Sequence, residues 1–145
     1  MKKIILPVDF SDTSDKLLDE AVKFAKVING EITLIHVAST DVGFVIGDVG
    51  FQYIPDVEEK EIKYELQELN KLEQRIIAQG IDCSHILKQG VASDTILNYA
   101  EEQNADFIIV GSHGRSGMYD MFIGSLTKEI TKRSKIPVLV IPCFV

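Results

Sequence analysis

The chain has 145 residues, 46% hydrophobic and 26% charged, with a formal net charge of -7. This is the balance of one ordinary globular domain, long enough to bury a core. The acidic sum argues against nucleic acid and anionic membrane as partners, because both need a basic face.

The opening "MKKIILPVDF" has a short apolar run, but Asp9 ends it too early for a signal peptide. No stretch approaches the ~20 apolar residues of a membrane span. A cytoplasmic protein is expected. Lys3 to Val8 reads as a strand apolar on both faces, as a central parallel strand should be. A helix follows, with Ser11 or Asp12 as N-cap. Leu17, Leu18, Ala21, Val22 and Ala25 fall at helical spacing, and Gly30 closes it. Glu31 to Ala38 is the second strand.

Residues 39–55 fit no element. They hold glycines and apolar Phe44, Val45, Ile46 and Phe51. They read either as a flexible surface loop or as a flap or partner surface, since apolar loop residues want cover. A long amphipathic helix is expected from about Asp56 to Gln79, with Val57, Ile62, Leu66, Leu69, Leu72 and Ile76 on one face and Gly80 ending it. Cys83 to Gly90 is a more polar third strand and so an edge. A third helix spans Ser93 to Gln103. Asp106 to Val110 is the fourth strand, a fourth helix runs from about Ser125 to Ser134, and Pro137 to Pro142 is the fifth strand.

Such alternation predicts an α/β domain over residues 1–145, with an open five-stranded parallel sheet covered by helices on both faces (Rossmann-like). The expected strand order is 3-2-1-4-5. Order then reverses between strands one and four, where open α/β sheets bind ligands beyond the carboxyl ends. Pro7, Val8 and Asp9 stand at one side of that point and "GSHG" at the other.

The loop "GSHGRSGMYDMFIGS" is unusually long for its place between a strand and a helix. Gly111 ends the strand and Gly124 starts the helix. Glycine at each point permits positive φ and lets a ligand approach the backbone, although glycines also stand at such places for purely conformational reasons. The helix at Ser125 offers free N–H groups and a positive dipole end, a ready phosphate site. On this reading Gly111 and Gly114 meet a ribose and the first phosphates. Gly124, Ser125 and Leu126 close on the rest, while Arg115 and His113 add positive charge.

The spacing G-x2-G-x9-G-[ST], complete in Gly111, Gly114, Gly124 and Ser125, closely resembles the nucleotide-binding signature of the universal stress protein family. "KIILPVDFSDTS" and "ITLIHV" are also similar to that family, and the resemblance covers essentially the whole chain. It implies ATP (or ADP or AMP) as ligand, with a divalent ion, magnesium or manganese, carried on the phosphates and no metal site of the protein's own. It further implies that Asp9, beside Pro7, accepts a hydrogen bond from the adenine or ribose end. The Val37 backbone would recognise adenine, Val110 would line the base pocket, Gly111 would touch the ribose, and Gly114, Gly124, Ser125 and Leu126 would hold phosphates. Asp9 has a plainer alternative as a helix cap.

His36 reads as a satisfied strand residue and His85 as uninvolved. Cys83 and Cys143 read as small buried hydrophobes of a reducing compartment; two are too few for a disulfide framework, and neither has a partner at metal-ligand spacing. No G-x4-G-K-[ST] loop is present, and the turn after the first strand lacks glycines, which argues against Walker-type hydrolases and Gly-rich pyrophosphatases. No general base is positioned for water, so hydrolysis should be slow at most. A regulatory ATP-binding protein is expected, against a dimeric interaction protein without nucleotide or an ATP-consuming enzyme. The apolar "VLVIPCFV" at a sheet edge is expected to pair in a homodimer.

Overall fold

Strands that are apolar on successive residues can only be buried on both faces, and helices must supply the cover. The computed structural model describes residues 1–10, 14–38, 55–112 and 124–143, with the backbone alone of residues 14 and 55–59. Its elements alternate as β1 (Lys2–Pro7), α1 (Ser14–Ile28), β2 (Gly30–Ala38), α2 (Pro55–Ala78), β3 (Cys83–Gln89), α3 (Ala92–Glu102), β4 (Phe107–Gly111), α4 (Ser125–Arg133) and β5 (Val138–Ile141). All neighbouring strands are parallel, in the order β3-β2-β1-β4-β5. This is the order expected from the sequence.

The pleat sends alternate residues of the inner strands to opposite layers. Ile4, Leu6, Ile32, Leu34 and Ile109 pack with α1 and α2 through Leu18, Val22, Leu69 and Ile76. Ile5, Ile35, Ile108 and Val110 pack with α3 and α4 through Ile96, Ala100 and Ile130. Leu34 and Ile35 are both fully buried, on opposite faces of β2. Burying each such side chain contributes about 1.5–3 kcal/mol, so the central strands are held from both layers at once.

The details correct several expectations. Gly30 does not close α1. Asn29 takes the left-handed turn at φ 55, and Gly30 already pairs with Lys2 as the first residue of β2. Asn tolerates that conformation. Gly30 is buried, and a Cβ there would stand 3.0 Å from Ile4 Cδ1. On α2, Leu66 is 38% exposed, while Leu69 and Ile76 are buried. Ile62, Leu69, Leu72 and Ile76 face inward as expected, with Glu65 in the place expected of Leu66. The expected cap at Ser11 or Asp12, the Val57 side chain and the segment 39–54 lie outside what is described. Among the described residues no helix is long and apolar enough to cross a membrane.

β3 is an edge strand of seven residues, as its polarity suggested. Gly90 follows it at φ 143, and its N–H donates to the Ala38 carbonyl at 3.2 Å. A Cβ at Gly90 would meet Thr95 Oγ1 at 2.7 Å. Gly90→Ala is therefore expected to destabilise the protein by about 1–3 kcal/mol through backbone strain, read from urea denaturation. An unchanged midpoint would contradict the turn geometry.

Candidate functional site

β1 lies between β2 and β4, and the two ladders that flank it have different lengths. Its partners on β2 run from Lys2–Gly30 to Pro7–Ile35, and Val8 N–H extends the pairing to the Ile35 carbonyl at 2.9 Å. Its partners on β4 are only Ile4–Phe107 and Ile5–Ile108. Beyond them β4 follows β5, and Ser112 N–H donates to the Ile141 carbonyl at 2.8 Å. Among the described residues β1 and β4 therefore part at the carboxyl edge, with a cleft between Val8–Asp9–Phe10 and Gly111–Ser112. This is the strand-order switch point.

A small hydrogen-bonded base ties the β4 side of the cleft to α4. The Ser112 carbonyl accepts from Gly124 N–H at 2.8 Å. Ser112 Oγ accepts from Cys143 N–H at 2.9 Å. Thr127 Oγ1–H donates to the Gly111 carbonyl at 2.6 Å. Ser112 and Thr127 are the buried polar side chains among the described residues, at 8% and 6% exposure. Sequence reasoning passed over both. Their signal was present: a hydroxyl directly after Gly111, and another in the first turn after Gly124–Ser125.

Gly124 is the N-cap of α4 at φ -56 and ψ 149, and Gly111 is also outside the left-handed region. Positive φ therefore does not explain these two glycines, contrary to expectation. Close approach to the backbone is the other freedom that glycine gives. The first helical bond of α4 is Lys128 N–H to the Gly124 carbonyl at 3.0 Å. The N–H groups of Ser125, Leu126 and Thr127 precede it and have no acceptor within the helix. Among the described residues no side chain caps this end, no acid lies in its first turn, and Lys132 and Arg133 sit at the other end. By contrast, α1 and α3 carry Asp15 and Asp94 in their first turns. The positive end of the α4 dipole thus has no acidic side chain of its own first turn to meet it.

Across the cleft, Asp9 and Pro7 are half-buried and Val8 is buried. Phe10 takes a left-handed φ of 60, and its ring centroid lies 4.5 Å from that of His36. His36 Nδ1 is 2.7 Å from the Val8 carbonyl, and Nε2 is 3.6 Å from Glu65 Oε1. His36 is a satisfied strand residue, as expected. Val37 packs against the cluster that holds Val110, and Val110 is 4% exposed. The structure therefore brings Pro7, Val8, Asp9, Val37, Val110, Gly111, Gly124, Ser125 and Leu126 to one edge of the sheet. His113, Gly114 and Arg115 lie outside the described residues.

Of the remaining groups, His85 and Cys83 lie elsewhere, while Cys143 stands at the base of the cleft through its bond to Ser112. His85 Nδ1 meets Glu73 Oε2 at 2.6 Å, tying β3 to α2. Burial, and secondarily the Glu73 charge, push the Cys83 thiol up to about 12. Burial also raises Cys143. Neither supplies thiolate at neutral pH, so neither is an activated nucleophile. Among the described residues no group of three or more His, Cys, Asp or Glu could hold a metal ion.

The fold and this edge define a doubly wound parallel α/β protein with a helix N-terminus facing its switch-point cleft. A family model described as "Universal stress protein family" matches residues 1–142, and the chain belongs to that family. Universal stress protein YxiE of Bacillus subtilis is 31% identical, covering 96% of this chain and 97% of its own. The solved structure of MJ0577, a universal stress protein of Methanocaldococcus jannaschii, is 29% identical with a TM-score of 0.76, covering 99% of this chain and 97% of its own. A universal stress protein from Archaeoglobus fulgidus, solved in complex with dAMP, shares the fold at 20% identity and a TM-score of 0.67, with 97% of each chain covered.

The Thr127 bond gives a direct test of the cleft's base. Thr127→Val preserves shape and leaves the Gly111 carbonyl without that donor. It is expected to cost about 1–3 kcal/mol in urea denaturation with the helical circular dichroism retained. No loss of stability would show that the bond does not hold α4 against β4.

Proposed function

We propose that the protein is a regulatory ATP-binding protein whose conformation or partner contacts follow the bound nucleotide. The observation that carries this reading is the start of α4, uncapped by any described side chain and bonded through Gly124 and Thr127 to the end of β4. Phosphates would sit on the N–H groups of Ser125 and Leu126, with Gly124 allowing close approach. Gly111 would meet the ribose, and Asp9 would accept a hydrogen bond from the sugar or base. Val37 and Val110 would border the adenine. Gly114 would complete the phosphate loop, and His113 and Arg115 would add positive charge to it. Magnesium or manganese would come with the phosphates rather than with a protein ligand set. ADP or AMP would occupy part of the same site, and the dAMP-bound structure of similar fold supports an adenine nucleotide as the class of ligand.

Binding of this kind needs no hydrolysis. Among the described groups near the cleft, the His36 imidazole is held by Val8 and faces Glu65, so it is not a free base for water. Turnover, if present, is slow. The reading places the protein in the cytoplasm. Calorimetry with ATP and magnesium is expected to show binding. Gly124→Val is expected to abolish it with the circular dichroism unchanged, because φ -56 is a backbone that valine adopts readily. No heat of binding at millimolar ATP would overturn the reading.

We further propose a homodimer through β5. This strand closes the sheet at one edge, and its Val138, Leu139 and Val140 are only partly buried in the single chain. An open apolar edge favours pairing with a second copy. Sedimentation at tens of micromolar is expected to give a dimer, and a monomer would contradict this.

A further inference from the structure

In a parallel ladder a residue gives its N–H to one partner carbonyl and takes the N–H of the residue two further on in the same strand. Val8 N–H donates to the Ile35 carbonyl, so the regular continuation is Val37 N–H to the Val8 carbonyl. Among the described residues that bond is not made. The His36 Nδ1 stands 2.7 Å from the same carbonyl instead. A carbonyl only accepts, so Nδ1 carries the hydrogen. Val37 lies two residues beyond Ile35 and presents its N–H to the same side, toward the exit of β1 and the cleft.

We propose that His36 is a positioning residue for the cleft: its side chain takes the last ladder position on Val8 and leaves the Val37 N–H free for the edge of a base. The Phe10 ring lies against the imidazole at 4.5 Å between centroids and holds its plane for this role, while Glu65 Oε1 of α2 stands 3.6 Å from Nε2. Phe10 is held at a left-handed φ of 60, a conformation that bulky residues rarely adopt. The same imidazole thus also fixes the backbone beside Asp9. The inference rests on the nucleotide reading for its ligand, and on the ladder geometry alone for its structural half.

The test uses the full chain, first without nucleotide. By NMR the Val37 amide is expected to exchange about tenfold or more faster than that of Ile35, a ladder member. Equal protection of the two amides would overturn the proposal. ATP with magnesium is then titrated into wild type, His36→Phe and His36→Asn. The phenylalanine keeps a ring against Phe10 but has no donor. The asparagine keeps an N–H that reaches the same carbonyl. Loss of the donor is expected to weaken binding about tenfold, with the asparagine within about threefold of wild type. Wild-type affinity in His36→Phe, or equal loss in both variants, would overturn the proposal. Failure of the wild type to bind ATP would count against the nucleotide reading, while the exchange rates would still decide the role of His36. Should His36→Phe fail to fold, the wild-type exchange and the asparagine titration decide.

Discussion

One buried serine holds together the ends of three elements. Ser112 gives its N–H to the end of β5, takes the Cys143 N–H on its hydroxyl, and takes the Gly124 N–H on its carbonyl. Thr127 closes the same knot on Gly111. In a buried setting an unmet polar group costs about 1–3 kcal/mol, so these bonds tolerate little displacement. They fix where α4 begins relative to the end of β4. That placement brings the N–H groups that precede the first helical bond of α4 to the edge where β1 and β4 part.

The opening itself follows from topology. β1 has partners on both sides, but its ladder with β4 ends after Ile5–Ile108, while its pairing with β2 reaches Val8. Each strand then follows its outer neighbour. His36 finishes the β2 side with a side-chain donor where the backbone ladder would have continued. The two halves of the cleft therefore end in different ways. One is closed by buried hydroxyls, and the other by an imidazole tilted against a strained phenylalanine.

Much of this was legible in the sequence because the physical signals were strong. Uninterrupted apolar strands such as "IIL" and "FIIV" required a parallel sheet with two helical layers, and the polar β3 marked its edge. The glycine spacing and the Gly124–Ser125 pair located the start of α4. The misreadings fall where one residue serves several purposes. Gly30 reads as a helix stop, yet Asn29 makes the turn and Gly30 is small because Ile4 lies against it. Leu66 fits an apolar stripe by spacing, but the true stripe admits Glu65, whose carboxylate faces His36. Gly111 and Gly124 suggest positive φ, yet neither uses it. Ser112 and Thr127 were invisible because small hydroxyl residues are common in loops and caps, and only three-dimensional contact reveals that these two are buried.

The central claim is that the first turn of α4 and the end of β4 receive the phosphates and ribose of an adenine nucleotide. The most direct measurement is backbone amide NMR of the full chain during addition of ATP with magnesium. The account predicts saturable shifts largest at Gly111, Ser125, Leu126 and Val37, leaving the far ends of the strands unmoved. Saturation with no change at the Ser125 and Leu126 amides, or shifts confined to other parts of the sheet, would contradict it.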